Sequence, residues 1–148
     1  MGDQRPDRST AVGIAILLRR AQLRKQLACE TRLAELRLTL PQWGILHAVA
    51  TAPDSSTHAL ALMTGQSDQA AGAVVARLEQ RGLVERRPGV GKAIIHRITQ
   101  DGARLVDSAD NAVADVMELA LSGLDSSEVH ALNRYLTHVA GTDGESRD

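Results

Sequence analysis

Residues 67–99, SDQAAGAVVARLEQRGLVERRPGVGKAIIHRIT, decide the fold of this chain. Apolar residues recur at helical spacing in the first half of the stretch, which predicts an amphipathic helix. This stripe consists of Ala71, Val74, Val75 and Leu78. Ser67 is a suitable N-cap for the helix, and Gly82 supplies the left-handed residue with which helices commonly end.

The second half of the stretch predicts a β-hairpin. Residues 83–87 and 93–98 are short runs of β-branched and basic residues, and Pro88-Gly89-Val90-Gly91 between them has strong turn chemistry. A helix, a tight stop and a basic hairpin, in that order, predict a winged helix that reads DNA.

The composition predicts a single small cytoplasmic domain. The chain has 148 residues, and no apolar run in it is long enough to cross a bilayer. Its only cysteine, Cys29, excludes an intrachain disulfide framework and a cysteine-rich zinc site. None of the five histidines has a metal-ligand spacing, and there is no phosphate loop or nucleophile–base pair. We therefore expect no metal, no cofactor and no enzymatic activity.

The order of patterns along the chain predicts a mainly α fold with a small β-hairpin wing. We expect a disordered start over 1–9 and a disordered tail over 141–148. The long helix near 10–36 has more than one apolar stripe, so it should bury two faces, one of them against a partner subunit. We therefore assign 10–38 and 100–140 to a helical dimerisation region, and 39–99 to a winged helix-turn-helix lobe.

Capping signals mark where the other helices begin. Thr39-Leu40-Pro41-Gln42 has an N-cap, an early proline and a Gln that can complete a capping box. Thr57–Thr64 reads as a short helix, and Gly65-Gln66 as the turn into the Ser67 helix. Further starts are predicted at Thr99 and at Asp125, the latter with a capping box to Glu128.

The charge is distributed unevenly, although its sum is only −1. Six Arg or Lys residues and two Glu residues lie within 77–97, whereas three Arg and ten acidic residues lie within 98–148. Positive charge is therefore concentrated on the helix-and-hairpin unit, as contact with phosphates requires.

Three segments resemble the MarR family of bacterial transcription regulators. They are TLPQ at 39–42 before a Trp-containing helix, RLEQRGLVERRPG at 77–89, and RITQDG at 97–102. The resemblance implies a homodimer whose winged lobes bind a pseudo-palindromic site in double-stranded DNA. It also implies a repressor that is relieved when a small aromatic or phenolic ligand binds between the lobe and the dimerisation region.

The candidate DNA contacts depart from the family pattern. They are Thr57, Ser67, Gln69, Ala70, Gly72, Ala73, Arg77, Arg86 and Lys92. Where the family usually has Ser, Thr and Arg on the recognition helix, this chain has Ala70, Gly72 and Ala73, and Val90 and Lys92 replace the usual Asp and Arg of the wing tip. We expect weak direct base readout, compensated by the wing and by DNA shape. The alternative is a winged-helix dimer that no longer reads DNA and instead sequesters a ligand or binds a protein.

Two further sites have alternative interpretations. By resemblance, Arg20, Trp43, His47 and Met117 would line an effector cleft bounded by the first, second and fifth helices, although the helical spacing of Trp43 also fits a core residue. Cys29 is either a redox sensor or a small buried hydrophobe, and we favour the buried hydrophobe.

Overall fold

A computed structural model describes residues 5–141 as six helices and one two-stranded antiparallel sheet. The elements in chain order are α1 (Arg8–Ala34), α2 (Leu40–Thr51), α3 (Thr57–Thr64), α4 (Asp68–Gln80), β1 (Val84–Pro88), β2 (Ile94–Ile98), α5 (Gln100–Leu121) and α6 (Ser126–Ala140). The fold is thus mainly α with a hairpin wing, which confirms the fold class predicted from the sequence. No helix within 5–141 is long and apolar enough to cross a membrane.

The first helix begins earlier than the sequence predicted. Arg8 and Ser9 were expected in the disordered start but lie in α1, because Oδ1 of Asp7 accepts hydrogen bonds from the backbone N–H groups of Ser9 and Thr10. The hydroxyl of Thr10 donates to the same carboxylate and is the main cause of a lowered Asp7 pKa. Residues 1–4 and 142–148, also expected to be disordered, lie outside the described residues.

The predicted caps are present at the starts of the other helices. Thr39 and Gln42 form a capping box on α2, and Asp125 and Glu128 form one on α6. Ser56, Ser67 and Thr99 each accept a backbone N–H through the side chain at the starts of α3, α4 and α5. These local hydrogen bonds satisfy donors that helix starts leave free.

The helix α4 stops where the sequence indicated. Gly82 has φ +69° and lets the chain turn back, so that the N–H of Leu83 donates to the carbonyl of Leu78. β1 then pairs with β2 from Val84↔Ile98 to Pro88↔Ile94. An isolated bridge between Ser55 and His96 ties the loop before α3 to the hairpin.

Gly102 fixes how closely α5 approaches the hairpin. A Cβ at this position would collide with the carbonyl oxygen of Leu83 and lie 2.8 Å from Cγ1 of Ile98. Thr99, one turn earlier, donates its backbone N–H to that same Leu83 carbonyl. The absence of a side chain at 102 therefore allows the base of the wing to rest on the first turn of α5.

One continuous core joins the lobe to the flanking helices. Its buried members come from the C-terminal end of α1, from α2, α3, α4 and β1, and from α5, and they include Cys29, Leu33, Leu46, Leu78 and Val106. The N-terminal part of α1 and all of α6 contribute no buried residue. These two segments carry large apolar side chains that remain exposed, namely Val12, Ile14, Ile16, Leu17, Leu18, Leu23, Tyr135, Leu136 and Val139.

Candidate nucleic-acid interface and effector cleft

The outward face of α4 is small and nearly uncharged. Gln69, Ala73, Ala76 and Gln80 are exposed, whereas Ala71, Val75 and Leu78 are buried. The exposed face is therefore the one that helical spacing indicated opposite the apolar stripe. Gln side chains can pair with adenine and Ala methyls can contact thymine, but no cation on this face is placed to read guanine.

Three of the candidate contacts also have structural roles. The Ser67 hydroxyl accepts from the N–H of Ala70 as the α4 cap, and the Thr57 hydroxyl lies 3.0 Å from Nε2 of His96. Gly72 is half-buried, and a Cβ there would lie 3.8 Å from Cγ2 of Thr57. Thr57 and Gly72 thus lie where α3 and α4 meet, while Ala70 and Ala73 are exposed.

The six cations of the basic segment divide into two sets. Arg87 is paired with Glu85 at 2.6 Å, Arg97 with Asp54 at 2.7 Å, and Arg81 donates to the carbonyl of Arg37. The Arg97 guanidinium also lowers the pKa of the Asp54 carboxyl through its hydrogen bonds. Within residues 5–141, the remaining cations have no ion-pair partner and are exposed: Arg77, Arg86 and Lys92.

The wing tip presents an apolar residue next to a cation. Gly91 has φ +67°, and the N–H of Gly89 donates to the carbonyl of Ala93, which closes the turn. Val90 is 96% exposed at the tip, and Lys92 follows it. This turn projects Val90 and Lys92 away from the lobe, on the unit that carries the other unpaired cations.

A second candidate site is a cleft of about 580 Å³ between α1, α2 and α3. Its walls are formed by Gln22, Lys25, Gln26, Glu30, Leu40, Pro41, Trp43, Gly44, His47, Ala48, Thr51, Met63, Thr64 and Gln66. Of the residues suggested by the family resemblance, Trp43 and His47 line this cleft and Arg20 and Met117 do not. The third wall of this cleft comes from α3 and none from α5, which packs against α2.

Asp110 on α5 makes the polar contacts between α5 and α2, and the sequence analysis did not single it out. Its Oδ1 accepts a 2.8 Å hydrogen bond from Nε1 of Trp43, and both of its oxygens lie 3.0 Å from Nδ1 of His47. The rings of Trp43 and His47 are 5.8 Å apart at their centroids. The available signal was the position of Asp110 beside the apolar stripe of α5, one turn after Val106.

The remaining titratable candidates are less accessible. Cys29 is completely buried, and burial raises the pKa of its thiol, which disfavours the reactive thiolate. This agrees with the interpretation of Cys29 as a small buried hydrophobe. Across residues 5–141, no group of three or more His, Cys, Asp or Glu side chains is arranged to hold a metal ion.

Comparisons with known proteins agree with this geometry. Residues 38–93 match the family model described as MarR family. A MarR-family transcriptional regulator from Rhodococcus sp. RHA1 is 22% identical and superimposes with a TM-score of 0.81, covering 88% of this chain and 94% of its own. CouR from Rhodococcus jostii RHA1, solved with p-coumaroyl-CoA, is 22% identical with a TM-score of 0.81, and the match covers 90% and 95% of the two chains.

A third structure has somewhat higher sequence identity. It is a MarR family protein of Mycobacterium tuberculosis in complex with p-aminosalicylic acid, 25% identical with a TM-score of 0.71, and the match covers 86% of this chain and 98% of that one. No curated protein matches the chain by sequence.

The fold and the exposed basic hairpin define a winged helix-turn-helix protein. The lobe matches the MarR family model, and most of the chain shares its fold with solved MarR-family regulators. The resemblance predicted from the sequence is thus confirmed for the lobe.

Proposed function

We propose that this chain is a homodimeric transcription repressor that binds a pseudo-palindromic site in double-stranded DNA and is released by a small aromatic ligand. The observation that carries the proposal is the set of three exposed, unpaired cations on the helix-turn-helix and wing, Arg77, Arg86 and Lys92. Arg87 and Arg97 are already neutralised by carboxylates and would release fewer counterions from DNA, and the Arg81 guanidinium is held by the Arg37 carbonyl, so these three should dominate phosphate binding.

Dimerisation is supported by the exposed apolar faces of the flanking helices. Val12, Ile16, Leu23 and Leu27 are exposed and fall on one stripe of α1 at helical spacing. Tyr135, Leu136 and Val139 add a second exposed set on α6. Large contiguous apolar surfaces of this kind mark protein interfaces, and a two-fold dimer would bury both sets at once.

In such a dimer, two α4 helices would lie in successive major grooves about 34–36 Å apart. On the outward face of α4, Gln69, Ala73, Ala76 and Gln80 offer only adenine and thymine contacts, and Arg77 beside that face is assigned to a phosphate. Specificity should therefore come mainly from the wing, from groove width and from the spacing of the half-sites.

Charge removal tests the DNA interface. R77A, R86A and K92A should each weaken binding to all duplexes and reduce the salt slope by about one unit, as expected for one lost phosphate contact. R104A is the matched control, because Arg104 is an exposed cation on α5 that is paired with Asp101. Equal affinities for all four variants and the wild type would contradict the assigned interface.

The ligand part of the proposal concerns the α1–α2–α3 cleft. Two of the similar solved structures contain p-aminosalicylic acid and p-coumaroyl-CoA, which are aromatic and anionic. In this chain the cleft combines the indole of Trp43 with the ammonium group of Lys25, which has no ion-pair partner within the described residues. Stacking on the indole and charge pairing with Lys25 would suit an aromatic carboxylate.

Trp43 is the only tryptophan, so its fluorescence reports directly on the cleft. Salicylate should quench the emission of the wild-type protein saturably, and K25A should weaken the apparent affinity. R20A is a control, since Arg20 does not line the cleft. A linear response to salicylate in the wild type, as for free tryptophan, would contradict the ligand assignment.

The second candidate is a winged-helix dimer that sequesters a ligand or binds a protein without reading DNA. It is favoured by one observation, the exposed and uncharged Gln69, Ala73, Ala76 and Gln80 face of α4. Saturable salicylate binding together with no DNA binding at low salt would support it over the repressor.

A further inference from the structure

His96 occupies an unusual position in the wing. Its side chain is buried, with 2% of the residue exposed, in a hairpin whose other polar residues face solvent. Its backbone is bonded to the loop before α3: the His96 carbonyl accepts from the N–H of Asp54, and the His96 N–H donates to the carbonyl of Ser55. The imidazole therefore lies at the junction of β2, α3 and α4.

The ring joins two side chains from different helices. Nε2 lies 3.0 Å from the hydroxyl of Thr57, the first residue of α3, and Nδ1 lies 3.4 Å from Oε1 of Glu79 near the end of α4. Nδ1 is the one fully buried side-chain nitrogen or oxygen within residues 5–141 that makes no hydrogen bond. Such an atom calls for a physical explanation.

The surroundings of the ring determine where its proton lies. A neutral imidazole has one N–H donor and one acceptor, and an ionised carboxylate can only accept. The proton of the neutral ring therefore belongs on Nδ1, facing Glu79, because a bare lone pair there would face a negative charge. Nε2 is then an acceptor, and the hydroxyl of Thr57 must donate to it.

This arrangement uses the only hydroxyl proton of Thr57. While His96 is neutral, Thr57 can offer a phosphate only lone pairs, which a phosphate oxygen repels. When a proton from solvent adds to Nε2, the ring donates to Thr57 from Nε2 and still faces Glu79 through Nδ1. The Thr57 hydroxyl hydrogen is then free to turn outward and donate to a phosphate.

We propose that His96 is a positioning residue that couples proton uptake to DNA binding, by releasing the Thr57 hydroxyl to donate to the DNA backbone. The proposal rests on the DNA-binding function proposed above. By linkage, a bound phosphate that needs the Thr57 proton favours the protonated ring, so affinity for DNA should rise as the pH falls.

The charges around His96 set the direction and limits of this coupling. Burial lowers the pKa of His96, Glu79 opposes that shift, and Arg86, its partner across the hairpin, adds to it. The remaining charged neighbours on the loop and strand, Asp54 and Arg97, neutralise each other. Because its pKa is lowered, His96 should be neutral in the free lobe at neutral pH. DNA phosphates would screen Arg86 and so favour protonation of the ring when DNA binds.

The test measures binding of the full-length protein to one duplex by fluorescence anisotropy from pH 7.5 to 5.5, at constant salt. We expect H96Q to lose part of the acid-dependent gain in affinity. T57V should bind about tenfold more weakly than wild type at pH 5.5, the effect of one charge-assisted hydrogen bond, and should show the same flattened profile. H58Q is the matched control, because His58 adjoins Thr57 in sequence but contacts Asp68 instead.

The outcomes separate this proposal from the function on which it rests. A wild-type protein that binds no duplex at any pH contradicts DNA binding itself. A wild-type protein that binds, with a pH profile shared by H96Q and T57V, contradicts only the coupling. Should H96Q fail to fold, the coupling can be tested in the wild type by following the ring nitrogens of His96 by NMR as the pH is changed, with and without the duplex. The pKa of His96 should rise when the duplex is added, and an unchanged pKa would overturn the proposal.

Discussion

The indole Nε1 of Trp43 donates a 2.8 Å hydrogen bond to Oδ1 of Asp110, which joins α2 to α5. His47, one turn further along α2, contacts the same carboxylate. Because Trp43 and His47 also line the cleft, a ligand there would touch two side chains that hold the lobe against α5. Ligand binding in the cleft could therefore shift how α2, and with it the proposed DNA-binding lobe, packs against α5.

Removing the shared acceptor should loosen this junction. D110A leaves the half-buried indole N–H without a partner, so the free energy of unfolding should fall by about 1–2 kcal/mol. D115A is the matched control on the same helix, since Asp115 makes an exposed pair with Arg32 and its removal should cost less than about 1 kcal/mol. Urea unfolding provides the measurement, and equal losses in D110A and D115A would contradict the role of Asp110.

A charge on the exposed stripe of α1 should disrupt the dimer. I16E places a carboxylate where the proposed partner subunit packs, so sedimentation velocity should show a shift from dimer to monomer. L62E is the matched control, because Leu62 on α3 is also highly exposed but lies outside the proposed interface. A wild-type monomer, or a dimer retained by I16E, would argue against this interface.

Gly102 should tolerate no side chain. In G102A the new methyl group would meet the Leu83 carbonyl and Ile98, so the base of the wing must move away from α5, at a cost of about 1–3 kcal/mol or more. Gly13 lies in the second turn of α1 with open space around it, so G13A should instead stabilise the protein by up to about 1 kcal/mol. Thermal unfolding distinguishes the two variants. A melting temperature of G102A equal to that of the wild type would show that the junction between the wing and α5 can relax.

Acid should destabilise the lobe through His96. Its folded pKa is lowered, chiefly by burial, so above the unfolded value of about 6.5 both states are neutral and the pH has no effect through this group. As the pH falls below about 6.5, the unfolded state takes up the proton before the folded state does. The free energy of unfolding therefore decreases until the pH passes below the folded pKa of His96. Urea midpoints at pH 7.5 and 5.5 should differ less in H96Q than in the wild type, whereas H58Q should keep the wild-type loss.

The features that sequence analysis predicted correctly are those set by neighbouring residues. Thr39 with Gln42, Asp125 with Glu128, and the left-handed Gly82 each act within about one turn of the chain, so their spacing is sufficient to predict them. The start of α1 was placed two residues late, because the cap supplied by Asp7 was taken as part of a disordered start.

The contacts that shape both candidate sites are long-range. Trp43 and Asp110 are 67 residues apart, and Thr57 and His96 are 39 apart, so no local pattern reports that they meet. The pairing of Arg87 and Arg97 with acidic neighbours likewise depends on side-chain geometry that a charge count does not contain. His96 was considered only for metal-ligand spacing, and nothing in the local sequence indicated which groups it meets.

The most direct test of the central claim is a salt titration of DNA binding. Fluorescence anisotropy would compare the intergenic DNA upstream of the chain's own gene with a scrambled duplex of equal length and composition. We predict tighter binding to the native duplex, with an affinity that falls steeply as salt rises. No binding to either duplex at low salt would contradict the assignment of a DNA-binding regulator.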